Sequence, residues 1–285
     1  MIFLKNNTKI ILRISGLPKL NIFRYIFWKL FSNNIYRVTC PTVATYEYIK
    51  KMNIFDNNNI FVLRDPVIQL HDFSKKKNEK IEDLKRSETT PKVRTENKTF
   101  RLLYIGVLEK RPSRGIIETA LTVNKMKGVQ FDIGGFGTLV PTLKKIDKKF
   151  KNVNYMGPIH PDNIPLLTIE CNAVLMALDP ANINNRLSAP NKLFEAMAAG
   201  VPIITCKELL MGQFVEREKI GLTFEWGKWD RLKAAIMKLM FDPQKCAEMG
   251  KRARKLAEKT HNWEHCEERL ESLYQFVKKT NLEGA

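Results

Sequence analysis

Residues 100–135 read FRLLYIGVLEKRPSRGIIETALTVNKMKGVQFDIGG, and this stretch predicts the fold of most of the chain. Its apolar residues predict a strand over 100–106, a helix over 114–126 and a second strand over 129–134. The same alternation continues to residue 218, and three further predicted helices cover residues 230–241, 243–259 and 263–279. Strands that alternate with helices in this way form a parallel sheet with helices on both faces. Ligands of such sheets bind at the carboxyl ends of the strands.

The residues before this stretch predict a smaller group of elements. Apolar patterns predict strands over residues 9–15, 36–41 and 60–63 and a largely apolar helix over 21–32. Thr42 is expected to cap the helix that continues through Met52. Residues 69–98 are charged and poor in large apolar side chains, which is typical of a linker or a mobile loop.

Composition and charge narrow the possible functions. The 285 residues include 48 lysines and arginines against 30 acids, a net charge of +18, and the 44% of hydrophobic residues excludes wholesale disorder. So strong a positive field attracts nucleic acid, anionic lipid or phosphorylated substrates. The first 46 residues contain no Asp or Glu. The five scattered cysteines indicate a reducing compartment and argue against disulfides or structural zinc.

Two glycine loops follow predicted strands. In the first, Gly106 precedes the basic residues Lys110, Arg111 and Arg114, and Arg114 is expected at the N-terminus of a helix, where an anion is favoured. An ordinary turn with solvated charges is the alternative. The second loop, GGFG at 134–137, resembles a phosphate cradle, but Val140 stands where a dinucleotide fingerprint needs glycine.

The third motif is APNKLFEAMAAGVPIIT at residues 189–205. It predicts a helix that Pro190 opens and Gly200 closes, followed by a buried strand. Lys192 lies in the first turn, where its charge adds to the field of the helix end and suits a diphosphate. The Glu195 carboxylate, one turn further on, can accept two hydrogen bonds from a vicinal diol such as a ribose. The alternative is that Glu195 only complements the helix dipole.

Segment 190–202, PNKLFEAMAAGVP, closely resembles the donor-site segment of glycosyltransferase family 4, whose members have the GT-B fold. The two glycine loops, NYMGP at 154–158 and the Asn262-Trp263 pair resemble further parts of that donor domain. Segments 37–42 and 62–67 resemble the end of the family's acceptor domain. Leu187 and Val107 depart from the family pattern, which often has a glutamate and a basic residue there, and no histidine stands at 13–16.

The resemblance implies an α/β fold of the GT-B type, with one complete Rossmann-like donor domain and the second half of a Rossmann-like acceptor domain. It implies retaining transfer of a sugar from a nucleoside diphosphate donor, with no cofactor and no metal. Arg114 and Lys192 would be catalytic, since they would stabilise the leaving diphosphate. The donor-binding residues would be Gly106, Arg111, Gly135, Gly137, Gly157, Ile159, Asn191, Leu193 and Glu195. On the acceptor side the resemblance points to Arg13, Ser15 and Gly16.

The domain organisation that the resemblance implies has four parts. These are a partial acceptor-side domain (1–68), the charged linker (69–98), the donor domain (99–259) and a closing helix (260–285). The acceptor would be a glycan or a lipid-linked molecule, and the protein cytoplasmic, on the inner face of the cytoplasmic membrane. The acid-free start and the aromatic segment 21–32 suit an anionic leaflet, although a core helix explains that segment equally well.

Other functions stay open at the level of the sequence. No Asp-x-Asp occurs, and His261 and His265 have the spacing of a metal pair beside Cys266, but a helix surface is the simpler interpretation. A sugar-nucleotide epimerase of the same architecture would have a similar site for the sugar nucleotide. A dinucleotide oxidoreductase would need a fuller glycine fingerprint. A nucleic-acid-binding protein would also be basic, although no interleaved aromatics or finger spacing appear. Acceptor-dependent release of a nucleoside diphosphate would distinguish the transferase from the others.

Overall fold

The computed structural model describes residues 10–13, 35–40, 42–56, 58, 60–62, 73–75, 99–110 and 114–282. Two parallel sheets organise these residues. The larger sheet has six strands in the order β6-β5-β4-β7-β8-β9, which is the order of a doubly wound nucleotide-binding fold. Its strands are β4 (Phe100–Ile105), β5 (Val129–Gly134), β6 (Val153–Gly157), β7 (Ala173–Met176), β8 (Ile203–Cys206) and β9 (Gly221–Phe224).

Helices connect and cover these strands. In chain order they are α2 (Ile116–Val123), α3 (Val140–Lys149), α4 (Ile164–Glu170), α5 (Ile183–Leu187), α6 (Asn191–Ala199), α7 (Leu210–Arg217), α8 (Trp229–Met240), α9 (Pro243–Thr260) and α10 (Trp263–Leu282). A 3-10 turn, Pro161–Asn163, precedes α4. Parallel crossovers are right-handed, so α2 and α3 lie on one face of the sheet and α4 and α6 on the other. Helix α9 packs against α6 and therefore shares the second face.

The smaller sheet has the order β1-β2-β3, with β1 (Ile10–Arg13), β2 (Ile35–Cys40) and β3 (Ile60–Val62). Helix α1 (Val43–Lys51) joins β2 to β3. The Thr42 side chain accepts a hydrogen bond from the Thr45 backbone N–H, so the predicted cap is confirmed. Helix 21–32, which was predicted from its apolar residues, lies outside the described residues, and most of the predicted linker does too.

Burial explains why the large sheet forms. Every residue of β7 and of β8 is buried, as expected for central strands of a sheet that is covered on both faces. Tyr104, Phe131 and Met197 are almost fully buried and belong to β4, β5 and α6. Burying such side chains contributes about 1.5–3 kcal/mol each. The core therefore holds the strand ends, and whatever is attached to them, in fixed positions.

The predicted elements largely agree with the structure. Strand β5 and the predicted strand have identical ends, and most other ends differ by one or two residues. Helix α5 and strand β9 were not predicted from the sequence. The four residues of β9 contain glycine and threonine, so they lack the apolar run that marks the other strands.

The chain divides into two compact units. One contains the described part of Met1–Asp65, together with Leu187–Ala189 and the described part of Cys266–Ala285. The other contains the described residues of Pro66–Arg186 and Pro190–His265, and holds the six-stranded sheet. The domain boundaries that were predicted at residues 68, 98 and 259 stay predictions.

Candidate donor site at the strand ends

Backbone hydrogen bonds join the loops that leave the first three strands of the large sheet. The Gly106 N–H, just after β4, donates to the Gly134 carbonyl at 3.0 Å. The Gly135 N–H donates to the Gly157 carbonyl, at the end of β6, at 2.8 Å. These bonds extend the pairing of the sheet into its loops. Gly106, Gly135 and Gly157, predicted as separate features, therefore meet at one edge.

Close contact between loops explains the glycines at 135 and 137. A Cβ at Gly135 would lie 1.9 Å from the Gly106 carbonyl oxygen, and one at Gly137 would lie 2.5 Å from that of Leu108. Both glycines have a positive φ, +137° and +145°, that other residues rarely adopt. At Gly157 (φ +81°) a Cβ would meet nothing within 4 Å in the described structure. Gly157 is thus the position where a ligand has room to approach the backbone.

Lys192 brings a positive charge to the same edge. It is the second residue of α6, and its Nζ lies 2.8 Å from the position that a Cβ at Gly106 would take. The ammonium lies 3.9 Å from the centroid of the Tyr104 ring, a cation–π contact. Among the described residues no carboxylate lies within ion-pair distance of it. Lys192 is therefore positioned by an aromatic ring and keeps its charge available to an anion.

Glu195 lies one turn further along α6 and is partly buried. Burial raises the pKa of its carboxyl group, and the nearby Lys192 charge opposes that rise. No described residue donates a hydrogen bond to this carboxylate. Its oxygens are still accessible at the surface, so an incoming group can reach them. The arrangement suits a ligand that brings its own hydroxyl groups.

Arg114 lies before α2, not within it. The predicted helix over 114–126 is wrong at its start, because Gly115 is left-handed (φ +58°) and α2 begins at Ile116. A Cβ at Gly115 would lie 2.9 Å from that of Ala177 and 3.0 Å from the Trp229 ring, so only glycine fits there. The Arg114 Nε is buried and has no hydrogen-bond partner in the described structure. This orphaned donor can serve an anion bound in front of α2.

The other predicted residues take different positions. Asn191 is exposed at the first position of α6, whereas the Leu193 side chain is buried in the core. Only the backbone of Leu193 can therefore contact a ligand. Ile159 packs over Gly134, where a Cβ would lie 2.5 Å from the Ile159 Cγ1. Arg13 ends β1, and three predicted residues, Arg111, Ser15 and Gly16, lie outside the described residues.

Two tyrosines were not predicted to support the site. The Tyr104 hydroxyl donates to the Val107 carbonyl at 3.0 Å, which holds the ring that contacts Lys192. The Tyr155 hydroxyl donates to the Gly135 carbonyl at 2.9 Å and fixes the second loop. For Tyr104, the alternation of side chains along a strand could have predicted this position. Residues 104 and 106 lie on the same side of an extended chain, so Tyr104 belongs beside Gly106.

The histidine pair has a structural role, and the interpretation as a helix surface is wrong for His261. That residue is buried, with its ring centroid 6.0 Å from Phe194 and 5.5 Å from Phe214. Asn262 donates to the Ala257 carbonyl and accepts from the His265 N–H, so it joins the end of α9 to the start of α10. Within the described residues, no group of three or more His, Cys, Asp or Glu could hold a metal ion.

The family model described as glycosyl transferase-like matches residues 111–272, more than half of the chain. The chain belongs to this family. The match covers Arg114, Lys192 and Glu195 and confirms the predicted membership of a glycosyltransferase family. It favours the transferase over the epimerase, the oxidoreductase and the nucleic-acid-binding protein that the sequence had left open.

A curated relative agrees with the family assignment. YtcC of Bacillus subtilis (strain 168), provisionally named a glycosyltransferase, is 35% identical over 85 residues, which are 30% of this chain and 21% of that protein. The match thus spans about a fifth of this relative.

Solved structures show the same fold. Anabaena HepE in complex with UDP is 14% identical, with a TM-score of 0.71 over 93% of this chain and 71% of that chain. Its UDP-glucose complex has a TM-score of 0.66 over 88% and 68%, at 15% identity. A Rickettsia africae glycosyltransferase is 14% identical, with a TM-score of 0.73 over 96% and 72%. The predicted GT-B type of fold is confirmed.

Proposed function

We propose that this chain transfers a sugar from a nucleoside diphosphate donor to a hydroxyl of a glycan or lipid-linked acceptor. The bond between the anomeric carbon and the diphosphate oxygen breaks, and the acceptor oxygen bonds to the same carbon with retention of its configuration. The hydroxyl proton leaves with the diphosphate. The observation that carries the proposal is the Lys192 ammonium, held at Gly106 without a carboxylate partner among the described residues.

Charge stabilisation is the main task of such a site. Negative charge grows on the diphosphate as the glycosidic bond breaks, and fixed positive groups lower the energy of that state. Lys192, the N-terminus of α6 and the orphaned Arg114 Nε supply positive charge and donors from two neighbouring loops. These protein groups take the role that a metal has elsewhere, so we propose transfer without metal or cofactor.

The rest of the donor has matching partners. The ribose diol would bind to the Glu195 carboxylate, which lacks donors among the described residues. The nucleobase would lie along the open backbone at Gly157, beside Ile159. The HepE complexes with UDP and UDP-glucose support a nucleoside diphosphate sugar as the donor class.

The proposed lipid-linked acceptor implies a location for the protein in the cell. We place the protein in the cytoplasm, at the inner face of the cytoplasmic membrane, where lipid-linked acceptors are reached. The support is the strong positive charge and the absence of Asp and Glu from the first 46 residues. Within the described residues no helix is both long and apolar enough to cross a bilayer.

Calorimetry with uridine and guanosine diphosphates in EDTA tests the proposal. We expect one of them to bind without metal, and Lys192→Gln to weaken that binding at least tenfold, because a charged hydrogen bond contributes about 1.5–3 kcal/mol. The same substitution should weaken the binding of uridine or guanosine far less, because these nucleosides have no diphosphate. Lys228→Gln is the matched control, since Lys228 is exposed at the start of α8 and its side chain makes no capping hydrogen bond. Failure of both diphosphates to bind, strict dependence on magnesium, or isomerisation of the sugar nucleotide without an acceptor would contradict the proposal.

A further inference from the structure

Helix α3 presents four lysines on one side. Lys144, Lys145, Lys148 and Lys149 are all exposed, and a helix turns 100° per residue, so these four positions share one face. Leu143 is buried on the opposite face, which packs on β6. We call the four exposed side chains the α3 lysine face.

Acidic partners are missing from this face. Asp147 is the acid of α3, and its Oδ1 accepts a hydrogen bond from the Tyr155 N–H at 3.2 Å, on the side of β6. Among the described residues no ion pair involves the α3 lysine face. The Lys149 Nζ lies 5.9 Å from the centroid of the Phe150 ring. None of the four lysines is therefore held in an ion pair in the described fold.

On a second helix, α9, arginines form ion pairs with acids. On α9, Arg252 lies 3.9 Å from Glu248 and Arg254 lies 2.7 Å from Glu258, each pair four residues apart. On α3 the residues four apart, 144 with 148 and 145 with 149, are like charges, which destabilise a helix by a few tenths of a kcal/mol per pair. Helix α9 also has lysines four residues apart, but Glu248 and Glu258 lie on the same side, so the signs of its charges are mixed. A face that only needs to be soluble tolerates such mixing. The unmixed face of α3 indicates an anionic partner.

The type of cation narrows the choice of partner. All four side chains are lysines, which carry compact, strongly hydrated charges on flexible stems. Arginine would be expected for forked contacts with single phosphates, and asparagine or glutamine for reading bases. Flexible point charges on a flat helix face suit the diffuse charge of an anionic membrane surface. Clusters of four or more Lys or Arg on a helix are typical of segments that bind anionic lipid headgroups.

We propose that the α3 lysine face binds the surface of an anionic lipid bilayer. This contact deepens the location proposed above, but it involves the unit that holds the six-stranded sheet and not residues 1–46. It depends on the charges of this one face and not on catalysis, so it stands or falls independently of sugar transfer. The face belongs to the helix that follows the second glycine loop. Binding there would keep the strand-end loops close to the plane in which lipid-linked acceptors lie.

Vesicle sedimentation with the full chain tests this contact. The vesicles contain phosphatidylcholine alone, or phosphatidylcholine with phosphatidylglycerol. We expect binding that requires phosphatidylglycerol and weakens steeply with salt. Replacing the α3 lysine face with four glutamines should weaken binding about a hundredfold or more, since each lysine near an anionic surface contributes about fivefold.

The matched control removes the same charge from the opposite face of the sheet. It replaces four lysines of α9 with glutamine, namely Lys245, Lys251, Lys255 and Lys259. We expect this control to bind vesicles within a few-fold of the unaltered chain. Thermal melts followed by circular dichroism, and calorimetry with the nucleoside diphosphate, establish that both variants fold and retain the donor site.

Three results would overturn the proposal. The first is unaltered binding by the α3 variant, which would assign the contact to another part of the chain. The second is an equal loss in both variants, which would mean that net charge alone drives binding. The third is binding to a duplex or single-stranded oligonucleotide that depends on the α3 lysine face while vesicle binding does not. Loss of nucleoside diphosphate binding with intact vesicle binding would instead contradict the proposed transferase only.

Discussion

Lys192 and Glu195 share one turn of α6 but have opposite environments. The ammonium lies on the Tyr104 ring, 3.9 Å from its centroid, so a cation–π attraction helps to hold it in place. The carboxyl group is partly buried without donors among the described residues, so burial opposes its ionisation. Both arrangements suit a polar ligand, with an anion beside Lys192 and a diol beside Glu195.

Glu195→Gln tests the role of the carboxylate. Glutamine keeps the size of the side chain and one acceptor, but weakens the paired contact with a diol, which contributes about 1.5–3 kcal/mol when charged. We expect nucleotide affinity in calorimetry to fall about tenfold or more. The melting temperature should not fall, because the change removes a partly buried charge.

The control for this variant is Glu118→Gln, which alters an acid in the first turn of α2. It should leave nucleotide affinity unchanged. A Glu195→Gln protein that melts much earlier than the unaltered chain, yet binds nucleotide normally, would show that Glu195 serves only the fold.

The raised pKa of Glu195 has a consequence for stability. Below the ordinary pKa of 4.5 the group is protonated in both folded and unfolded chains, and its burial carries no penalty. As the pH rises through the higher pKa of the folded state, ionisation costs the folded state free energy, so stability is lost. Urea unfolding from pH 4.5 to neutral should therefore show the unaltered chain losing stability relative to Glu195→Gln. A difference that stays constant with pH would argue against a raised pKa.

At the level of elements, the site depends on loops that touch through their backbones. The loop after β5 rests on the loop after β4, and the Gly135 and Gly106 backbones leave no space for a side chain between them. The loop after β6 is then joined by the bond between the Gly135 N–H and the Gly157 carbonyl. A shift in one loop would displace the others and move the surface that Lys192 faces.

Gly135→Ala should separate these loops. The new methyl group would overlap the Gly106 carbonyl in a backbone conformation that alanine rarely adopts, and we expect a loss of about 2–4 kcal/mol in the free energy of unfolding. Gly227→Ala is the control, since its φ is also positive (+81°) but a Cβ would meet nothing within 4 Å in the described structure. It should cost about 1–2 kcal/mol. Equal losses in urea unfolding would mean that loop contact is unimportant.

At the level of the whole molecule, excess positive charge works against folding. Lysines and arginines outnumber acids by 18, and like charges repel each other more in a compact chain than in an unfolded one. The charged helix faces, such as the α3 lysine face, contribute to this repulsion.

Salt should therefore stabilise the protein. Raising sodium chloride shortens the Debye length from about 30 Å at 0.01 M to about 10 Å at 0.1 M, which screens repulsion between distant surface charges. We expect the melting temperature to rise by several degrees over this range, because about 1 kcal/mol corresponds to about 2–4 °C for chains of 150–250 residues. A falling melting temperature would show that attractive ion pairs outweigh the repulsion.

The sequence by itself determined the alternation of strands and helices, the parallel sheet and the family. These features can be recognised from residues that are close together in the sequence. They are the apolar runs, the Thr42 cap and the PNKLFEAMAAGVP segment. The same signals placed Lys192 and Glu195 on one helix. They did not reveal β9, whose burial comes from neighbours that are distant in sequence.

Only the tertiary structure decided which residues meet. It placed the Tyr104 ring under Lys192, made Gly135 a contact between loops, moved Arg114 out of α2 and buried His261 between two phenylalanines. Each of these facts depends on atoms from segments far apart in the chain. Their distances follow from how the sheet and helices pack, and no local pattern encodes that packing.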